Sequence, residues 1–163
     1  MLNTLFKVVN WVLPARAARA HCDIPCGIYD PIAAKIAAQT VQKMVLRIQN
    51  LQLPGPDASP SDRQTYANTL ARYVTVKEQH AELCKKELDI LWHDYFNPTH
   101  LQRYPDLHTQ FWQANKLASR NKQNVDMNAA RELVSTVDRI AQVFWATKNV
   151  TYKDEVAEVR FGT

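Results

Sequence analysis

Only three glycines occur in this chain of 163 residues, too few for a β-rich fold built on many tight turns. Cysteine is equally scarce. Cys22, Cys26 and Cys84 make no disulfide framework, and the length allows a substantial core without covalent staples. Continuous apolar runs of about eighteen residues, the length that spans a bilayer, are missing, so no transmembrane helix and no membrane partner is expected. The formal charge of +4 comes mostly from the first 20 residues, where Lys7, Arg16 and Arg19 have no acidic counterpart. Without them 17 basic residues face 16 acidic ones, which leaves no basic stripe and speaks against nucleic acid as a partner.

What the chain does contain is rich in Ala, Leu, Gln, Lys and Glu, the composition of helices. Asp30 followed by Pro31 reads as an N-cap with proline at the first helical position. From there Ile32, Ile36, Val41, Val45 and Ile48 draw an apolar stripe to about Leu51. The prolines at 54, 56 and 60 end it. Ser61 and Gln64 resemble a capping box for a second, longer helix reaching Phe96. Its candidate buried positions are Leu70, Tyr73, Val74, Leu83, Leu88, Leu91, Trp92 and Tyr95. Asn97-Pro98 closes this helix, and a third runs from near Pro105 to Ser119 with Leu107, Phe111 and Leu117. The polar stretch 120–124 reads as a connection. A fourth helix, from Asp126 to Lys148, carries Leu133, Val137, Ile140, Phe144 and Trp145 near i, i+3, i+4 spacing. Four helices with short links predict an all-α, up-down four-helix bundle over residues 31–148. Residues 149–163 form a mixed, charged extension with no assignment.

The ends of the first 31 residues differ sharply. Residues 1–20 combine a short apolar stretch, interrupted by Asn10, with basic residues and the small-residue end Ala18-Arg19-Ala20. A secretory signal and a removable maturation segment both fit, and both place a new N-terminus at His21. An amphipathic helix that stays attached is the third reading. The broken apolar core favours a cytoplasmic protein, with export to the periplasm as the alternative.

Residues 21–31, His-Cys-Asp-Ile-Pro-Cys-Gly-Ile-Tyr-Asp-Pro, carry the chemistry. After cleavage before His21, the chain offers a free α-amine, an imidazole, the Cys22 thiolate and amide nitrogen, and the Cys26 thiolate. Amine and amide close a five-membered chelate, and two sulfurs complete a plane. Tetragonal nitrogen and thiolate donors suit nickel or copper and disfavour hard, oxygen-seeking ions. Pro25 and Gly27 help the chain fold back on itself. An uncut chain holds an amide at His21 in place of the amine, so cleavage acts as an activation switch.

This run resembles the nickel hook of nickel-containing superoxide dismutases, with their H-C-x-x-P-C-G-x-Y-x-P pattern behind a short prosequence. The likeness continues through Lys77-Glu78-Gln79, Ala81-Glu82-Leu83, Leu91-Trp92-His93-Asp94-Tyr95-Phe96, Tyr104 to His108, and Ile140 to Lys148. It implies a four-helix-bundle subunit, a homohexamer, one nickel ion per chain, superoxide as substrate, and a protease cutting before His21. It also implies His21, Cys22 and Cys26 as nickel ligands, with Tyr29 and Tyr95 beside the open axial face. Asp23 matches the pattern as a supporting residue. Two positions depart from it. Where the family often has a glutamate and an arginine orienting the axial imidazole, this chain has Ala37 and His80, and His80 is expected to substitute. Cys84 matches no ligand position and reads as a packed thiol, while His93, His100 and His108 have no helical ligand spacing. A non-catalytic nickel or copper carrier using the same hook is the alternative function. An exported helical protein with Cys22 and Cys26 oxidised to a disulfide is a third.

Overall fold

The computed structural model describes residues 27–162. Every regular element among them is helical: α1 (Ile32–Gln49), α2 (Pro60–Ile90), a π-helical turn (Leu91–Tyr95), α3 (Pro98–Arg103), α4 (Leu107–Gln123), α5 (Met127–Thr147) and α6 (Ala157–Phe161). The four long helices form a square. α1 packs on α2 and α5, and α4 packs on the same two from the other side. Short links between sequential neighbours make this the expected up-down bundle.

The core differs from the apolar stripe in a physically informative way. On α1 the fully buried positions are Ala34, Ala37, Ala38, Val41 and Val45, whereas Ile36 is exposed. Small side chains let α1 approach α2 closely at Ala81 and Cys84, which join the same core cluster. A reading weighted toward bulky residues finds Val41 and Val45 but takes in Ile36 and passes over the alanines that make up the rest of the buried face. Leu83 fails for the same reason. It is exposed, while its neighbours Ala81 and Cys84 face inward. On α5 the expected face holds, with Leu133, Val137, Ile140 and Phe144 all fully buried.

The helix ends also shift. The capping box of α2 lies at Ser59 and Asp62, not Ser61 and Gln64. The Asp62 N–H donates to Ser59 Oγ at 3.1 Å, and the Ser59 N–H donates back to the Asp62 carboxylate at 3.3 Å. Pro60 then occupies the first helical position, where its missing N–H costs nothing. At the start of α1 Asp30 does take the Ile32 N–H, at 2.8 Å, but the N-cap position is Pro31 and the first helical residue Ile32, one later than expected. The stretch read as a connection at 120–124 is mostly helix, because α4 continues to Gln123. Its C-terminal carbonyls are covered from across the bundle by the buried Lys77, whose ammonium donates to the carbonyls of Asn121, Lys122 and Asn124. Asn97 caps the short α3, which the sequence reading missed, by accepting from the N–H groups of Thr99 and His100.

The unassigned extension folds back. α5 stops in a Schellman arrangement with Asn149 at a positive φ of 59°, the Val150 N–H bonding Trp145 O and the Asn149 N–H bonding Ala146 O. Tyr152 then stacks on Trp145. Asp154, nearly buried, pairs with Lys35 of α1 at 3.0 Å and with Arg160 at 2.8 Å, while Lys35 also pairs with Asp138 of α5. Arg160 reaches Gln39, and Lys43 donates to Gly162 O. Hydrogen bonding to Arg160 holds the Asp154 carboxyl below its ordinary value, with Lys35 adding to the effect against the opposing pull of burial. Burial pushes the Lys35 ammonium down, but its bonds to Asp138 and Asp154 more than offset this and leave it raised.

The sign of the resulting pH dependence follows directly. Asp154 is the lowered carboxylate, so its contribution is complete above the ordinary aspartate value of 3.8 and is lost as pH falls through its depressed one. Lys35 is the raised ammonium, so its contribution is complete below 10.5 and is lost as pH climbs through its higher value. Asp154→Asn leaves Lys35 and Arg160 short of a charge and is expected to undock α6 at neutral pH, since breaking a buried pair typically costs about 3 kcal/mol or more. Hydrogen exchange at the α6 amides is the measurement. Protection equal to that of the unmodified chain would show that the ion pairs do not hold the extension.

Candidate active site

His21, Cys22, Asp23 and Cys26 lie outside the described residues. The described chain begins at Gly27, whose φ of +76° is the left-handed conformation that glycine adopts without strain. Among the described residues no atom within 4 Å would meet an added Cβ, so the backbone turn itself calls for glycine there. Tyr29 follows two residues later, just before Asp30 and Pro31 launch α1.

Tyr95 comes to Tyr29 from the far end of the long second helix. The π-turn explains how. Phe96 N–H bonds Leu91 O at 3.0 Å, one residue wider than an α-turn. The wider turn keeps Leu91, Tyr95 and Phe96 all on the core side, with Leu91 and Phe96 buried and Tyr95 half-buried. The two tyrosine rings meet with centroids 5.7 Å apart and tilted by 56°. These residues, 66 positions apart, were drawn from separate motifs, and the fold makes them neighbours.

Two helices and the residue that ends the π-turn shape the surroundings of Tyr95. Phe144 of α5 lies beneath it at 4.4 Å, Phe96 meets it edge-on at 5.1 Å, and the His100 ring of α3 stacks on it at 5.5 Å. The Tyr95 hydroxyl lies 2.5 Å from Thr147 Oγ1 at the end of α5. Next in sequence, the Lys148 ammonium sits over the same ring, 5.1 Å from its centroid and 5.3 Å from that of Phe144. A cation at that distance over an aromatic face is attracted to the ring and brings positive charge to the site.

Among the described residues, no group of three or more His, Cys, Asp or Glu side chains could hold a metal ion. Cys84 is fully buried, and burial pushes its thiol up to about 12, so it remains a protonated, packed thiol. His93 donates through Nδ1 to Asp89 O, and His108 meets Trp92 edge-on. Neither joins a metal cluster. Soft donors in sufficient number occur only in the sequence His21 to Cys26, whose two cysteine sulfurs beside a histidine suit nickel. His80, on α2, donates from Nδ1 to Val76 O at 2.9 Å. A neutral His80 is thereby left with Nε2 as its acceptor. Ala37 is fully buried in the core, where a carboxylate would be stripped of water.

Residues 16–148 match the family described as nickel-containing superoxide dismutase. The chain belongs to this family. The superoxide dismutase [Ni] of Streptomyces seoulensis is 37% identical over 148 residues, spanning 91% of this chain and 98% of that protein. Its counterpart from Streptomyces coelicolor is 34% identical over the same coverage. A native nickel superoxide dismutase structure superposes with a TM-score of 0.67 at 32% identity, covering 80% of this chain and all of the other. A structure with nickel ligation corresponding to the oxidised state gives 0.66 at 35% identity with equal coverage.

The family match stops at residue 148, so the docked extension that ends in α6 lies beyond it. Thr147 and Lys148 fall at its very edge. Both stand in the family-like segment Ile140 to Lys148, where nothing in the sequence assigns them a role. Their one sequence signal was the end of the α5 pattern, and only the fold shows that this end abuts Tyr95.

Proposed function

We propose that this chain performs the family's reaction at an N-terminal hook made by cleavage before His21, with Tyr29 and Tyr95 flanking the substrate. The enzyme is a nickel-dependent superoxide dismutase, converting two superoxide ions and two protons into dioxygen and hydrogen peroxide. Nickel, as its cofactor, supplies one-electron cycling between Ni(II) and Ni(III). His21 would hold it through amine and imidazole, Cys22 through amide and thiolate, and Cys26 through thiolate. Anionic sulfur and amide donors give up charge and so stabilise the higher oxidation state, which water alone does not. One ion per chain, assembly as a homohexamer, and maturation in the cytoplasm complete the reading.

The observation that carries it is the meeting of Tyr29 and Tyr95 at the start of α1. Only Gly27 and Ile28 separate Cys26 from Tyr29, a span of at most about 11 Å. The donor set and the tyrosine pair are thus tethered to one end of the bundle. There the two hydroxyls order water or hold the anion, and Lys148 draws the negatively charged substrate inward. Asp23 supports the hook. His80 takes the place of the family's imidazole-orienting pair, accepting through Nε2 from the His21 ring directly or through water.

Protein matured in its own host tests the whole reading. Mass spectrometry should find His21 as the first residue, metal analysis one nickel per chain, and the preparation should turn over superoxide. An active enzyme that still begins at Met1 would end the proposal. In the same preparation, His80→Ala should shift the pH profile, and an unchanged profile would remove that residue from the site. Lys148→Gln should lower kcat/KM severalfold at low salt and flatten its ionic-strength dependence. An unaltered salt dependence would show that the cation guides nothing. No observation favours a carrier without turnover.

A further inference from the structure

The end of α5 fixes a hydrogen-bond direction that bears on how the proposed site treats its substrate. Thr147 Oγ1 lies 2.6 Å from the carbonyl oxygen of Phe144 and 2.5 Å from Tyr95 Oη. A carbonyl oxygen can only accept, and threonine has one hydroxyl proton. That carbonyl lacks the next main-chain donor in the helical series, because the Lys148 N–H turns to Trp145 O and Ala146 O where the helix ends. The threonine proton therefore goes to Phe144 O, and the short contact to Tyr95 must be made by the phenolic proton. The chain runs one way, from Tyr95 O–H to Thr147 O–H to the Phe144 carbonyl.

We propose that Thr147 is the positioning residue of Tyr95, holding its phenolic proton away from the substrate so that Tyr95 meets the site as a hydrogen-bond acceptor. This inference rests on the reading of Tyr95 given above and chooses between its two options. A phenol whose proton is committed elsewhere has only lone pairs to offer. It cannot donate to superoxide, an anion that itself seeks donors. It takes a hydrogen bond from a water, and that water's second proton points at the substrate. Tyr95 thus acts through an ordered water, and the stack of Phe144, Phe96 and His100 holds the ring where this geometry persists.

The isosteric Thr147→Val change deletes both hydrogen bonds with little change in volume, and Thr147→Ser keeps the hydroxyl. The spectroscopic readout is the tyrosine Fermi doublet in ultraviolet resonance Raman spectra, whose intensity ratio distinguishes a donating phenol from an accepting one. Subtracting the Tyr95→Phe spectrum isolates Tyr95. The nickel-loaded enzyme should show a donor signature that Thr147→Val abolishes and Thr147→Ser restores. Turnover by Thr147→Val should fall about three- to tenfold with an altered pH profile, the scale of one hydrogen bond, and recover with serine. A Tyr95 signature unchanged by valine would overturn the hydrogen-bond assignment. A lost signature with turnover and pH profile intact, while Tyr95→Phe is impaired, would overturn the positioning role alone. Full activity of Tyr95→Phe would instead sink the reading of Tyr95 itself, and this inference with it.

Discussion

Serine at both Cys22 and Cys26 is expected to yield a folded helical bundle that holds no nickel and turns over no superoxide. The hydroxyl of serine stays protonated at neutral pH and offers a hard, weak donor in place of a thiolate. It can neither bind nickel with comparable strength nor stabilise the higher oxidation state. Substitution of residues that merely support metal ligands costs ten- to a hundredfold, so removal of two ligands should cost more than about a hundredfold in activity. Stability should barely move, because the core is built by residues of α1, α2, α4 and α5 and by Leu91 and Phe96, all downstream of the two cysteines. Metal analysis and thermal unfolding of the matured protein read both quantities. Cys84→Ala is the contrast. Its thiol packs between helices, so a loss of about 1 kcal/mol in stability with nickel retained is expected. Nickel at one per chain in the double serine variant would refute the ligand set.

Phe144→Ala should produce the opposite pattern, a large stability loss with the ligands untouched. The ring is fully buried and lies against Tyr95 at 4.4 Å, Trp145 at 5.2 Å and Phe96 at 6.5 Å. Truncating a buried phenylalanine costs about 3–5 kcal/mol, from lost transfer energy and the cavity left behind. For a chain of this length that is a fall in Tm of roughly 10 °C. Tyr95 would also lose the surface beneath its ring, so turnover measured well below Tm should decline with nickel still bound. Phe144→Leu, which refills most of the volume, should recover much of both. A Tm within a degree of the unmodified chain would mean that the aromatic cluster does not anchor this end of the bundle.

How much of this could be read beforehand differs from element to element. α5 was legible nearly to the residue, because a large apolar side chain recurs on one face and Asp126 is a strong cap, accepting from Asn128 and Ala129. α1 was legible as a helix with Val41 and Val45 inside, but not in the rest of its inner face, because Ala34, Ala37 and Ala38 carry little hydrophobic signal. Lys77, read as part of a charged family-like segment, is nearly inaccessible because it caps another helix. No local pattern announces such a contact across 44 residues of sequence. The extension was opaque for the same reason. Its order comes from Lys35, Gln39 and Lys43 on α1, more than a hundred residues away.

The sequence by itself determined the class of fold and the family, and it is the source of the donor set proposed for the hook, because helical periodicity and ligand chemistry are written in neighbouring residues. Tertiary structure alone decided what surrounds Tyr95. A π-turn aims its ring toward Tyr29, and the end of α5 delivers Thr147 and Lys148 to it. Those elements are far apart along the chain, and only the packing of helices into a square, which depends on all their buried faces at once, brings Tyr29, Thr147 and Lys148 into contact with Tyr95.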